Sequence, residues 1–400
     1  MRHTEQALSA VTSIHGGKAG ESTTHRWTDA LLEPFRSVGD PVADPVVESI
    51  FANNEAAVVT RMLRSIAANE HLVPAEMPDA VENYLNQTDD WPAWADPEKV
   101  RIGQRLFGRY GMQMALALFT WSLPSCYACA KGAQVLTATG RIDKYVNHRI
   151  IETSQFLLDV MAEGGLERGG RGVRTAQKIR LLHATIRYHV RHYPKWQPEW
   201  GTPINQEDQA ITLLTFALLP RTLTKLGLDF TPEEEDAFFH CWRVIGHILG
   251  IDAALLPRDP NEGQQLWDAI TRRQVAPSEA GRTLTRALIN YMKELVPGTM
   301  LDGLPAALIR ELCDKPIAQA VLTEEPDWAH HLLGPMRVFF NLTDEAQDSS
   351  GIVARISGTF SRKLLEGLYS IKRGDKQLMF HIPQSLQDAW GLDTPATRHV

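Results

Sequence analysis

Apolar residues recur at three- and four-residue intervals along most of the chain, and no strand-like alternation repeats. This pattern predicts helices over 46–69, 76–88, 98–123, 145–165, 172–192, 204–227 and 231–250. Further helices are predicted over 263–274, 278–296, 304–313, 327–340 and 351–371. Local start signals support several of them. Asp96-Pro97 opens one helix, Asn205 caps another ahead of Glu207 and Asp208, and Thr231-Pro232 opens a third that ends at Gly250. The helix over 98–123 is amphipathic early and apolar late, so its far end should be deeply buried. With no internal repeat and no dividing linker, the expectation is an all-α chain. A loose polar arm at 1–25 precedes one large helical domain at 26–380, and a tail at 381–400 follows.

The two central helices carry polar residues where an apolar face is expected. On the second, Arg180, His183 and Arg187 stand on one stripe at helical spacing. On the first, Arg149 and Thr153 share a stripe, with Glu152 beside them. A buried arginine needs an anionic partner, and this helix offers none on the same face. An imidazole between two guanidinium groups can ligate iron while the arginines hold acidic groups of a cofactor, which makes His183 a candidate axial ligand of haem. The alternative is a satisfied core histidine, with Arg149 in a surface ion pair and the Thr153 hydroxyl bonding back to its own helix turn. His240 and His247 lie two turns apart on one helix face, able to line a cofactor or to pack against Phe239, Trp242 and Ile245.

Composition narrows the field. A formal charge of −7 and the absence of aromatic interleaving among the basic residues from Arg168 to Arg191 argue against nucleic acid. No window is apolar enough for a membrane span, and no signal peptide or twin-arginine pair is seen, so a cytoplasmic location is expected. Four cysteines are too sparse for a disulfide scaffold, and Cys126-Tyr127-Ala128-Cys129 is followed by Ala130, which rules out covalent c-type haem attachment. No HExxH, GxSxG, P-loop, dinucleotide fingerprint or di-iron Glu-x-x-His pair is present. Oligomeric state is not legible.

Seven segments in order resemble the latex clearing proteins, which are bacterial rubber oxygenases, and the wider MpaB-type oxygenase family. They are GDPVADPVV (39–47), PAWADPE (92–98), SLPSCYACAKGAQVLTATGR (122–141), ETSQFLLDVM (152–161), KIRLLHATIR (178–187), INQEDQAITLLTFALLP (204–220) and FHCWRVIGHILGIDAALLP (239–257). The resemblance implies a globin-like helical core with additional helices, a non-covalent haem b, and O₂-dependent cleavage of C=C bonds in isoprenoid or other lipid-like alkenes. Position by position, it implies that His183 is the iron's proximal ligand. It places Arg149 and Thr153 in the distal pocket, and Arg180, Arg187, His240 and His247 around the haem. Rubber-cleaving members carry lysine where this chain has Glu152 and an acidic residue at the position aligned with Ala133, which directs the expectation to a smaller substrate. Glu152 then becomes the candidate acid or base, and the stretch from Leu213 to Leu219 a candidate channel wall. A haem protein without oxygenase activity, either peroxidase-like or a sensor of O₂ or redox state, and a cofactor-free lipid-binding protein are the rival readings.

Overall fold

The computed structural model describes residues 26–53, 78–138, 142–295 and 303–322, and a short hairpin at 372–373 and 376–377. Its elements, in chain order, are α1 (Asp29–Leu32), α2 (Ala43–Ala52), α3 (Asp79–Gln87), α4 (Pro97–Ala117), α5 (Leu123–Ala128), α6 (Ala130–Ala138), α7 (Ile142–Met161) and α8 (Arg171–Arg191). They continue with α9 (Gln206–Ala217), α10 (Leu219–Thr224), α11 (Pro232–Ile248), α12 (Pro260–Gln274), α13 (Glu279–Leu295), α14 (Leu304–Leu312) and α15 (Lys315–Val321). The fold is all-α; the only described strands are β1 (Lys372–Arg373) and β2 (Lys376–Gln377), paired antiparallel. The helices expected at 327–340 and 351–371, the N-terminal arm, the C-terminal tail and most of the expected 46–69 helix lie outside the described residues. No described helix is long and apolar enough to cross a membrane.

Helix starts follow the local chemistry. The Asp96 carboxylate accepts from the Glu98 N–H at 2.9 Å ahead of Pro97. Asn205 Oδ1 accepts from the Asp208 N–H at 3.0 Å. Thr231 and Glu234 form a reciprocal capping box, the Thr231 N–H donating to Glu234 at 2.9 Å and the Glu234 N–H to Thr231 at 3.2 Å. Two helices depart from their expected spans. The stretch 204–227 divides at Leu218 into α9 and α10, with Pro220 in the first turn of α10, and 98–123 is broken too. α4 ends at Ala117, a π turn covers Leu118–Ser122, and α5 restarts with Pro124 in its first turn. Pro124 has no N–H for the Thr120 carbonyl, and the Cys313 thiol donates there instead at 3.5 Å. The far end is buried as expected, with Phe119 and Trp121 in the core.

One contiguous apolar core runs from Trp27 to Val321. Within it α4 lies close against α11, because a side chain at Gly103 would meet Cys241 Cβ at 2.7 Å. A smaller cluster joins Ala43, Val47 and Ile50 of α2 and Val81, Tyr84 and Leu85 of α3 to Leu181 and Ala184 of α8. α8 is thereby held from two sides, by the main core through Val173 and Ala176 and by α2 and α3 through Leu181 and Ala184.

Candidate functional site

The glycine-rich turn at 163–172 brings α7 and α8 together. A Cβ on Gly172 would stand 2.6 Å from the Asp159 carbonyl oxygen, so only glycine lets the start of α8 rest on the end of α7. The Asp159 side chain, fully buried, ties the two helices. It accepts from Gln155 Nε2 at 2.8 Å, Arg171 Nε at 2.9 Å and Thr175 Oγ1 at 2.8 Å. Burial pushes its carboxyl above the ordinary range, more than Thr175 and Arg171 pull it down.

Two turns further along α8 comes the stripe of Arg180, His183 and Arg187. His183 is half-buried, with its Nδ1 inside the protein. Both arginines are buried. Their carboxylate partners, which the sequence left to a cofactor, come from the chain itself. Arg180 grips Asp40 with Nε to Oδ2 at 2.5 Å and Nη2 to Oδ1 at 2.9 Å, and donates from Nη1 to the Ile248 carbonyl at 3.3 Å. Arg187 donates from Nε to Asp44 Oδ1 at 2.7 Å and from Nη1 to the Ile204 carbonyl at 2.9 Å. Its Nη2 is buried without an acceptor.

The Asp40 carboxylate is itself fixed, since its Oδ1 accepts from the N–H groups of Val42 at 2.9 Å and Ala43 at 3.0 Å. Burial works to raise the Asp40 carboxyl. The Arg180 hydrogen bond and charge, with those two N–H groups, outweigh it and hold the carboxyl below its usual value. Gly250 closes this site from the turn after α11, with φ at 80° and the position of its absent Cβ 2.3 Å from Arg180 Nε. Gly250→Ala is therefore expected to destabilise the protein by more than the ~1–2 kcal/mol of a left-handed alanine, because it also displaces a buried guanidinium; urea denaturation measures the loss.

α11 carries the other candidates. His247 is exposed on its outer side, yet partial desolvation, then the Arg180 charge, push its pKa below the usual histidine value, so it belongs to the same neighbourhood as the α8 stripe. His240 is buried, and its Nε2 accepts the Asp96 N–H at 2.8 Å, an unprotonated role that agrees with a pKa lowered by burial and by Lys99. Both imidazoles set an edge toward Trp94, at 5.7 and 6.2 Å between centroids, and Arg243 lies over the same indole at 3.7 Å. Between them Trp242 stacks on Phe216 of α9 at 4.6 Å and meets Phe156 of α7 at 6.4 Å. Its indole Nε1 is buried without an acceptor.

On α7, Glu152 and Thr153 are exposed, one turn before the buried Phe156. The Arg149 side chain lies outside the described residues. A hydroxyl bonding back to its own helix does occur here, but from Ser154 to the Ile150 carbonyl at 2.7 Å. Ala133 is buried on α6. Leu213, Leu214, Phe216, Ala217, Leu218 and Leu219, read in the sequence as a channel wall, are packed into the core. A described cavity of about 130 Å³ lies elsewhere, between Trp91, Val100 and Gln104 and the turn at Gly164 and Leu166.

Residues 101–346 match the family described as the ER-bound oxygenase mpaB/B′/rubber oxygenase catalytic domain. The chain belongs to this family. As a member of this oxygenase family it is similar to the rubber oxygenase of Streptomyces sp. (strain K30), at 25% identity over 275 residues. That alignment covers 65% of this chain and 65% of the relative's length. The fold is shared with the structure of latex clearing protein LCP in the closed state, with a TM-score of 0.69 at 20% identity, over 87% of this chain and 95% of that one.

The matched region includes α7, α8 and α11 but begins after Asp40 and Asp44. Those two carboxylates were absent from the sequence reading of the site. The signal was available in GDPVADPVV, where two acids four residues apart precede prolines in an otherwise apolar segment. Trp94 was likewise inside a quoted segment, and its place among His240, Arg243 and His247 is visible only in three dimensions.

Proposed function

We propose that the chain is a haem b-dependent oxygenase that uses O₂ to cleave a C=C bond of a hydrophobic isoprenoid-like or other alkene substrate, both oxygen atoms ending in the two carbonyl products. The observation that carries this reading is the fixed Arg180–His183–Arg187 stripe in a chain of an oxygenase family. The donor set fits a haem. His183 presents a half-buried imidazole on this stripe, and Arg187 Nη2 keeps a buried N–H with no acceptor, as an arginine awaiting a carboxylate would. Trp242 Nε1 is a second such donor, and leaving either unpaired costs about 1–3 kcal/mol.

In this reading His183 holds the iron, Arg180 and Arg187 fix the helix that presents it, and His240 and His247 border the cofactor from α11. When bound, the haem supplies the electronic activation of O₂. Arg149 and Thr153 would keep the oxygen side polar, and a cation there would stabilise developing negative charge. Glu152 moves a proton at the allylic carbon of the substrate. Phe156, one turn after Glu152 and Thr153, packs with Phe216 and Trp242 in a buried aromatic cluster that keeps water from this end of the site.

The test is direct. Freshly purified protein is expected to show a Soret band and one haem b per chain by pyridine haemochrome. Under air it is expected to convert short isoprenoid alkenes into paired aldehyde or ketone products seen by mass spectrometry. Protein that stays colourless after haem reconstitution overturns the cofactor; haem-loaded protein that yields no carbonyl products from any alkene offered overturns the oxygenase assignment.

A further inference from the structure

Two carboxylates from the N-terminal segment reach the one helix that carries His183, and they do so on either side of it. Arg180 and Arg187 are seven residues apart, roughly 10 Å along α8, with His183 between them. Asp40 and Asp44 are four apart across the start of α2, so each meets one arginine. Two attachment points on one stripe fix both the rotation of α8 and its height. They add to the packing of Leu181 and Ala184 on α2 and α3, which holds the same helix.

The acidic side is as rigid as the basic side. Asp40 is locked by the Val42 and Ala43 N–H groups, and the Asp40 N–H donates to Asp44 Oδ2 at 3.0 Å. Gly39 leaves room for this: a Cβ there would sit 2.2 Å from Asp44 Oδ2 and 3.1 Å from Arg187 Cδ. The pairs also cancel charge. Two buried cations flank His183, and the Asp40 and Asp44 carboxylates neutralise them.

We propose that Asp40 and Asp44 are positioning residues of the haem site: through Arg180 and Arg187 they orient His183 and set the net charge around its iron. This rests on the haem reading above. Its chemistry is that of a second layer of groups tuning a ligand they do not touch. Removing one carboxylate leaves an uncompensated guanidinium within about one helical turn of the ligand. A nearby positive charge favours the less positive, ferrous iron, so the reduction potential rises.

The experiment is spectroelectrochemical titration of haem-loaded wild type, Asp40→Asn, Arg180→Lys and the double variant Asp40→Asn/Arg180→Met. Asparagine keeps the Oδ1 acceptor for Val42 and Ala43, so the turn survives while its charge is removed. Asp40→Asn is expected to have a higher potential than wild type. Arg180→Lys, which keeps the charge, is expected to stay close to wild type, and the double variant to return toward it. If Asp40→Asn does not load haem, Asp44→Asn reports the same sign at the more accessible pair, whose carboxylate is 16% exposed. A wild type that loads haem alongside Asp40→Asn or Asp44→Asn variants of unchanged potential overturns this inference alone. A wild type that loads no haem overturns the haem reading and this inference with it.

Discussion

Protein carrying His183→Ala is expected to purify without haem, losing the Soret band while its far-ultraviolet circular dichroism stays that of wild type. The two halves of this prediction have separate causes. In the haem reading His183 is the iron's protein ligand, and a non-covalent macrocycle without its axial bond retains only packing and carboxylate contacts. The helix, by contrast, does not depend on the imidazole. Arg180 remains on Asp40, Arg187 on Asp44, and Leu181 and Ala184 on the α2–α3 cluster. Alanine also has the highest intrinsic helix propensity. Loss of haem in a folded variant therefore separates ligation from stability. Free imidazole added to the variant enters the space left by the side chain and is expected to restore part of the band. Full haem retention without imidazole sinks the assignment of His183.

What could be read from the chain, and what could not, divides along the reach of the interaction. The caps at Asp96, Asn205 and Thr231 join residues two or three apart, and each stands where the pattern put it. The break inside 98–123 was also written locally, in Pro124, but proline is tolerated in a first turn and so marks a restart as readily as it marks nothing. The partners of Arg180 were out of reach of any periodicity, because Asp40 lies 140 positions earlier. Glu207 and Asp208 show the same limit. Their place in the first turn of α9 fits the helix dipole, yet the structure puts them against Arg36 and Arg273 in the interior. The helical periodicity carried the fold class, and the order of family segments carried the family because it samples residues 39 to 257 at once. Roles assigned to Arg149, Glu152 and Thr153 rest on that likeness, since two are exposed on α7 and the side chain of the third is undescribed.

The buried acid on α9 yields the second large effect. Arg273→Ala is expected to cost about 3–5 kcal/mol of stability, the range for stranding a charge whose partner is removed. Glu207 is fully buried, accepting from Arg273 Nε at 2.9 Å and Gln274 Nε2 at 3.0 Å, with Arg36 Nε at 3.6 Å as a weaker neighbour. Burial already raises the Glu207 carboxyl above its ordinary value despite Arg273, so losing the arginine raises it further. The sign of the pH dependence follows. Above the variant's raised folded pKa, Glu207 is charged in both proteins and the variant carries the whole deficit. As pH falls through that pKa, Glu207 takes up a proton in the folded variant before it does so in wild type or in the unfolded chain, and the deficit shrinks. Urea midpoints of the two proteins should thus converge on acidification. Adding Glu207→Gln to Arg273→Ala removes the charge outright and should recover most of the loss at alkaline pH. A deficit that is independent of pH and untouched by Glu207→Gln would mean that Arg273 matters for its contacts with Asp29 and Glu33 on the surface, where ion pairs contribute little.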